Sequence, residues 1–377
     1  MKKVLYISEY GDIGGGESSL LNIILYFKEK KMLEPILLVP KDSSLEFLAK
    51  QKGIRVYAEK FPQFRYAWIK FLPLFNLQTM IRFYRIMKKE CVDIIHINSS
   101  GSALVNSMFP SKILNIPIIW TCHGWWEKPF GIRAKIINKF VNKVFCVSNY
   151  VERFVRFPAH KVETTYLGID LEYINSGDRK YIRDKWNINE DKTLIGVIGR
   201  YQKIKAQDLF IRVANRLVEY GYTNCLFFLI GDALFDKKNN KYKQKVYNLI
   251  RTSPYKQYFI LLDNQINIPD IYAGLDIIVV PSHFESFSMV TIEAMAAGKK
   301  VVATNKGGPS EIITHKKNGY LFESENEEDL FNKLKMAIDD KCFNINEVKK
   351  RAHFFSIKER AKVIFENYRQ VWGNANE

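Results

Sequence analysis

Glu285 and Glu293 stand with seven residues between them in the run 281–298, PSHFESFSMVTIEAMAAG. A short apolar strand precedes the run, a small polar loop follows, and small and apolar residues then predict a helix from about Ser288 to Ala297, stopped by Gly298. The free amides at the start of such a helix attract phosphate. A carboxylate accepts two hydroxyl donors. The planar fork of Arg200 suits bidentate contacts to phosphate, and Lys205, five residues on, adds a mobile point charge. His123 follows a predicted strand, and Gly15 and Gly16 present backbone without side chains. A dinucleotide fingerprint fails here, because Ser19 occupies the place of the third glycine in G-x-G-x-x-G.

These residues follow strands, and the strands alternate with helical patterns. Val4–Ser8, Ile36–Val39, Ile94–Ile97, Ile118–Trp120 and Val144–Val147 read as short apolar strands in the first half. Leu194–Ile198, Cys225–Ile230, Ile260–Leu262, Ile277–Val280 and Val301–Ala303 do so in the second. Buried apolar strands alternating with helices predict parallel α/β sheets. The repeated opening, strand then glycine then helix, predicts two doubly wound Rossmann-like domains. Their expected extents are 1–174 and 175–355, with the polar stretch Asn175–Lys192 as linker. Residues 356–377 form a C-terminal helix expected to pack back on the first domain. Ligands of doubly wound sheets sit at the carboxyl ends of the strands, so two facing sheets predict a site in the cleft between them.

The 377 residues exceed one ordinary core, and 47% hydrophobic with 26% charged residues excludes collagen, coiled coil and wholesale disorder. No apolar run approaches the roughly 18 residues of a spanning helix. The five cysteines are scattered, with no zinc-ligand spacing, which predicts a reducing cytosol. Lys plus Arg exceeds Asp plus Glu by 17, and residues 51–150 hold 15 basic against 4 acidic residues. Lys60–Lys89 has seven cations, no acid and eight aromatics. That composition suits an anionic bilayer surface or a single-stranded nucleic acid groove, with a partly aromatic core as the plainer alternative.

The run 281–298 resembles the E-x7-E segment of family-4 retaining glycosyltransferases, which have the two-domain GT-B fold. Further matches fall in order along the chain. Gly14-Gly15-Gly16-Glu17 is similar to the N-terminal glycine loop, and Thr121-Cys122-His123-Gly124 to the T-x-H-G element. Cys146-Val147-Ser148 and Leu167-Gly168-Ile169-Asp170 resemble the serine and N-G-V-D landmarks. Gly199-Arg200 with Lys205 resembles the G-R-x-x-x-x-K phosphate element, and Ile230-Gly231-Asp232, Gly307–Glu311 and Asn318-Gly319 complete the series.

The resemblance implies a nucleoside-diphosphate sugar donor, a UDP-sugar by family frequency, and a glycan or lipid-linked glycan acceptor. It implies that Glu285 meets donor-sugar hydroxyls and that Ser286, Phe287, Ser288 and Met289 offer amides to sugar or phosphate. Glu293 would bond the ribose, the nucleobase would lie along Leu262–Ile266, and His123 would touch the sugar near the reacting carbon. Gly15, Gly16 and Gly199 would let backbone approach the diphosphate. The leaving phosphate would take the acceptor proton on the face of attack. No D-x-D occurs in the chain, so fixed cations and amides, with no metal and no cofactor, are expected to hold the departing charge. Ala206, Ser286, Ser288 and Lys299-Lys300 depart from residues common in the family. With the glycosyltransferase context the basic stretch reads as a peripheral contact with the cytoplasmic face of a membrane, and no nucleic acid partner is expected. A sugar-nucleotide hydrolase or epimerase, or a non-catalytic glycan-binding subunit, would use the same scaffold.

Overall fold

The protein is described by a computed structural model covering residues 1–61, 76–99, 101–124, 132–233, 237–262 and 267–374. The chain divides into two compact units, Met1–Gly168 with Ile357–Glu377, and Ile169–Ser356.

The first unit is built on seven strands: β1 (Lys3–Ile7), β2 (Glu34–Pro40), β3 (Arg55–Glu59), β4 (Ile94–Ile97), β5 (Ile118–Cys122), β6 (Val141–Cys146) and β7 (Val162–Thr164). All pair in parallel, in the order β3-β2-β1-β4-β5-β6-β7. The order reverses between β1 and β4, where ligands of such sheets gather. β1, β4 and β5 are buried on both faces and mostly apolar, as strands of a parallel sheet covered by helices are. Helix Gly15–Glu29 and the C-terminal helix Ile357–Asn374 share one face. Leu20, Ile24 and Phe27 of the former and Ala361, Ile364 and Tyr368 of the latter join one core with Tyr6 and Phe145. Each large apolar side chain fully buried there contributes about 1.5–3 kcal/mol.

The second unit carries β8 (Thr193–Ile198), β9 (Cys225–Ile230), β10 (Phe259–Leu262), β11 (Ile277–Val280), β12 (Lys300–Thr304) and β13 (Tyr320–Phe322). They are again all parallel, in the order β10-β9-β8-β11-β12-β13, with the reversal between β8 and β11. Both sheets are of the expected Rossmann-like class.

Two sequence expectations are corrected. The stretch Asn175–Lys192 is not a linker but part of the second unit, and the boundary lies after Gly168 rather than residue 174. Arg183 is 6% exposed, with its guanidinium donating to the Asn189 and Lys192 carbonyls and to Asp276. Gly177 lies so close to Pro269 that a Cβ would come within 2.1 Å of its carbonyl oxygen. Three strands, β3, β7 and β13, were missed. Each is a sheet edge, and β3 and β7 are only partly buried, so their sequences carry less apolar signal. Much of the basic aromatic stretch (62–75, including Arg65, Tyr66, Trp68 and Lys70) and residues 263–266 of the expected nucleobase segment lie outside the described residues.

Candidate active site

The second unit places its candidate residues after β8 and β11, on either side of the reversal point. Gly199 follows β8, and its carbonyl runs so close to Gly231 that a Cβ on Gly231 would sit 2.1 Å from it. Gly231 adopts φ +145, so glycine serves both space and conformation there. Arg200 follows, half-buried, with its carbonyl fixed by Gln207 Nε2 at 2.9 Å. A single 3-10 turn, Lys203–Lys205, then leads through Ala206 in the left-handed region (φ +49) into helix Gln207–Glu219.

Lys205 does not stand alone. Its Nζ lies 2.7 Å from Oε1 of Glu285, and Ser282 Oγ donates to the same oxygen at 2.7 Å. Glu285 is 8% exposed, so the pair stands largely out of water. Both bonds fall on Oε1, which leaves Oε2 to accept hydroxyls. The loop holding Glu285 is clamped from β12. Gly308 N donates to the Glu285 carbonyl at 2.9 Å, and Glu285 N to that of Lys306. A Cβ on Gly307 would come 1.8 Å from the Glu285 carbonyl oxygen, and one on Gly308 would come 2.1 Å from that of Phe287. The two glycines thus let backbone lie flush on the loop.

Phe287 is 1% exposed with its ring edge-to-face with that of Phe355, so it anchors the loop and can offer only backbone to a ligand. Ser288 caps helix Met289–Ala296 at φ +90, and its hydroxyl bonds Thr291 Oγ1 at 2.8 Å. A serine in that region is strained, and it persists because the surrounding bonds fix it. Met289 is buried, and Ser286 is half-buried beside the helix start. Glu293 lies one turn further in. Tyr272, wholly buried, donates its hydroxyl to Glu293 Oε2 at 2.6 Å, while burial pushes the carboxyl pKa upward. At the end of β9, Lys243 Nζ meets Asp232 Oδ1 at 2.7 Å.

The first unit forms its own cluster after β1, β4 and β5. Gly14 caps helix Gly15–Glu29, its amide donating to Glu17 Oε2 at 3.2 Å. Gly16 abuts His123, where a Cβ would sit 3.0 Å from Cε1 and 3.2 Å from Nδ1. His123 Nε2 lies 2.8 Å from Asn98 Oδ1, and Asn98 Nδ2 donates to the Gly16 carbonyl at 3.4 Å. That second bond orients the amide, so His123 carries its proton on Nε2 and keeps Nδ1 as an acceptor. Burial lowers its pKa to about 4, so the ring is neutral at pH 7. It can accept a hydroxyl but supplies no charge.

The sequence reading missed Ser282, Tyr272 and Asn98, which hold Glu285, Glu293 and His123. None carries a spacing signal, since each meets its partner through the fold. Ser148 and Asp170, noted as landmarks, cap the short helices Asn149–Glu152 and Leu171–Ile174.

Comparison with known proteins fits this geometry. A family described as "Glycosyl transferases group 1" matches residues 178–358, and "Glycosyltransferase Family 4" matches 13–173. The chain is 24% identical over 315 residues to the Escherichia coli UDP-Gal:alpha-D-GlcNAc-diphosphoundecaprenol alpha-1,3-galactosyltransferase, covering 78% of this chain and 79% of that one. Among solved structures, Anabaena Alr3699/HepE in complex with UDP-glucose superposes with a TM-score of 0.83 at 21% identity, covering 98% of this chain and all of that one. Sucrose-phosphate synthase from Thermosynechococcus elongatus gives 0.80 at 16% identity, over 99% of this chain and all of that one. The ordered motifs, the two parallel sheets and the two family matches agree, and the chain belongs to the family-4 glycosyltransferases, enzymes of the GT-B fold.

Proposed function

We propose that the protein is a retaining, metal-independent glycosyltransferase that moves a sugar from a UDP-sugar to a hydroxyl of a lipid-linked glycan. The observation that carries this reading is the cluster Lys205–Glu285–Ser282, a cation and a carboxylate 2.7 Å apart at the carboxyl end of one sheet. A departing diphosphate needs fixed positive charge, and Arg200 and Lys205 supply it where the chain has no D-x-D to hold a metal. The helix amides from Ser288 onward add to them. Glu285 Oε2 takes a sugar hydroxyl, Glu293 takes the ribose, and His123 Nδ1 accepts a further hydroxyl of the sugar. The acceptor's proton passes to the leaving phosphate on the face of attack, so the configuration at the anomeric carbon is kept. UDP is favoured because the Escherichia coli relative is named for a UDP-sugar and the Anabaena structure holds one. The lipid-linked acceptor follows the same relative, whose name specifies a diphosphoundecaprenol substrate.

A surface of the first unit supports action at the cytoplasmic face of a membrane. No described helix is long and apolar enough to cross one. Helix Leu77–Glu90 instead presents Leu77 (70% exposed) and Ile81 beside Arg85, Lys88 and Lys89. Its neighbour Ser102–Ile113 presents Phe109, Lys112 and Ile113. Apolar side chains among cations suit an anionic headgroup layer.

The test is a thermal-shift and calorimetry panel of UDP, ADP, GDP and their hexose conjugates, with and without EDTA. UDP at about 100 times its Kd stabilises by about 2.7 kcal/mol. The reading expects that shift for UDP, unchanged by EDTA and weakened in Arg200→Ala. A shift with ADP or GDP alone, or loss of binding with EDTA, overturns the donor or the metal-free clamp respectively.

A further inference from the structure

We propose that His96 and Tyr368 are positioning residues for His123, so that the C-terminal helix sets the geometry of the first unit's cluster. The proposal rests on the reading of His123 as a donor-sugar contact and adds what holds it.

His96 lies in β4 at 3% exposure, with both ring nitrogens engaged. Nδ1 meets the hydroxyl of Tyr368, from helix Ile357–Asn374, and Nε2 meets Thr121 Oγ1 at 2.6 Å. The Tyr368 hydroxyl also reaches that of Tyr6 in β1 at 3.3 Å. His96 therefore ties β4, β5 and the C-terminal helix through one imidazole, and the Tyr368 hydroxyl extends the tie to β1. Two residues along each strand, on the same sheet face, come the residues of the site. Asn98 follows His96, and His123 follows Thr121. The His96–Thr121 and Asn98–His123 bonds are consecutive rungs between neighbouring segments. The lower rung sets the spacing at which the upper one closes.

His96 is wedged against the rings of Tyr6, Phe145 and Tyr368, and of these the Tyr368 hydroxyl is the one that bonds its nitrogens. A cavity of about 30 Å3 bordered by His96, Asn98, Thr121 and Thr165 adjoins both rungs. Thr165 Oγ1 is buried there with no partner. When Tyr368 is cut away, the imidazole has that space to turn into and a free hydroxyl to turn toward. Thr121 is then released, and Asn98 and His123 lose their fixed separation.

Tyr368→Phe keeps the ring and removes only the hydroxyl; His96→Gln is the second variant, in case the first perturbs packing. Two readouts decide. Ring-nitrogen NMR of the full chain is expected to show His123 as the single Nε2–H tautomer in the wild type and as a mixture in both variants. Turnover is expected to fall roughly tenfold with donor KM within twofold, and Tyr368→Phe is expected to cost nothing further in a His123→Ala background. A lowered Tm with an unchanged His123 tautomer, or a turnover loss that persists undiminished with His123→Ala, would reduce the network to a fastening for the helix and overturn the proposal. If His123→Ala alone leaves turnover intact, the sugar-contact reading fails, while the tautomer measurement still decides whether His96 positions the ring.

Discussion

Replacing Lys205 with methionine separates what its ion pair does for the fold from what it does for the reaction. Nζ stands 2.7 Å from Glu285 Oε1, with side chains 24% and 10% exposed. Direct attraction at that distance is about 6 kcal/mol at an effective dielectric constant near 20, most of it offset by desolvation. Removing one partner of a buried pair costs about 3–5 kcal/mol, because the other is left charged and unpaired. Water reaching the partly exposed lysine lowers that to about 2–3 kcal/mol. For a compact unit the size of Ile169–Ser356 each kcal/mol moves the melting point by about 2–4 °C, so Lys205→Met should lower the melting point of that unit by roughly 5–10 °C. Adding Glu285→Gln removes the stranded charge and keeps an oxygen for Ser282 Oγ, so the double variant should regain most of that loss. Turnover should not recover: each single variant and the double should lie roughly 10²–10³ below the wild type. Melting curves at pH 7 are read beside nucleotide release on the same preparations. A double variant as unstable as the single one, or one that regains turnover with stability, would refute the reasoning.

Two further outcomes are expected. His96 is held at a pKa of about 3 by burial, against about 6.5 in an unfolded chain, so between these values the unfolded state binds the extra proton and stability rises with pH. The contribution is complete above pH 6.5 and is lost as pH falls toward 3; from pH 7 to pH 5 the wild type should lose about 2 kcal/mol more than His96→Gln in urea unfolding, and equal losses would show that His96 titrates normally. Salt-reversible flotation with anionic but not neutral liposomes is expected of the wild type, and its loss is expected when Leu77, Ile81, Arg85 and Lys88 are all changed to serine; equal flotation of both proteins would remove that surface from the membrane contact.

The central strands were legible because burial on both faces forces unbroken apolar runs. β4, β9 and β11 fall where Ile94–Ile97, Cys225–Ile230 and Ile277–Val280 were read. Both edges of the first sheet were not legible, for the converse reason: Arg55–Glu59 and Val162–Thr164 have one neighbour each and can carry charge without cost, whereas the apolar edge β10 was read. The polar composition of Asn175–Lys192 read as a linker because charge is ordinarily solvated. Arg183 defeats that inference by satisfying its guanidinium on carbonyls and Asp276 inside the second unit, an arrangement fixed by tertiary contact and invisible to spacing.

The same distinction runs through the site. Residues read as ligand contacts could be picked out from sequence, since the chemistry asked of them restricts them to few types in fixed places after strands. Residues that hold them were missed, since any group able to donate from the right place serves. Lys205 shows how the two classes merge. It was read as a cation for phosphate alone, yet in the structure it also neutralises Glu285, the carboxylate read as the sugar contact. One side chain then answers to two demands. Under the proposed function, a diphosphate drawing Lys205 toward itself would weaken its hold on Glu285 Oε1 and leave both carboxylate oxygens to hydroxyls. The sequence separation of 80 residues hides that coupling, and the reversal point of the second sheet creates it by bringing the loops after β8 and β11 side by side.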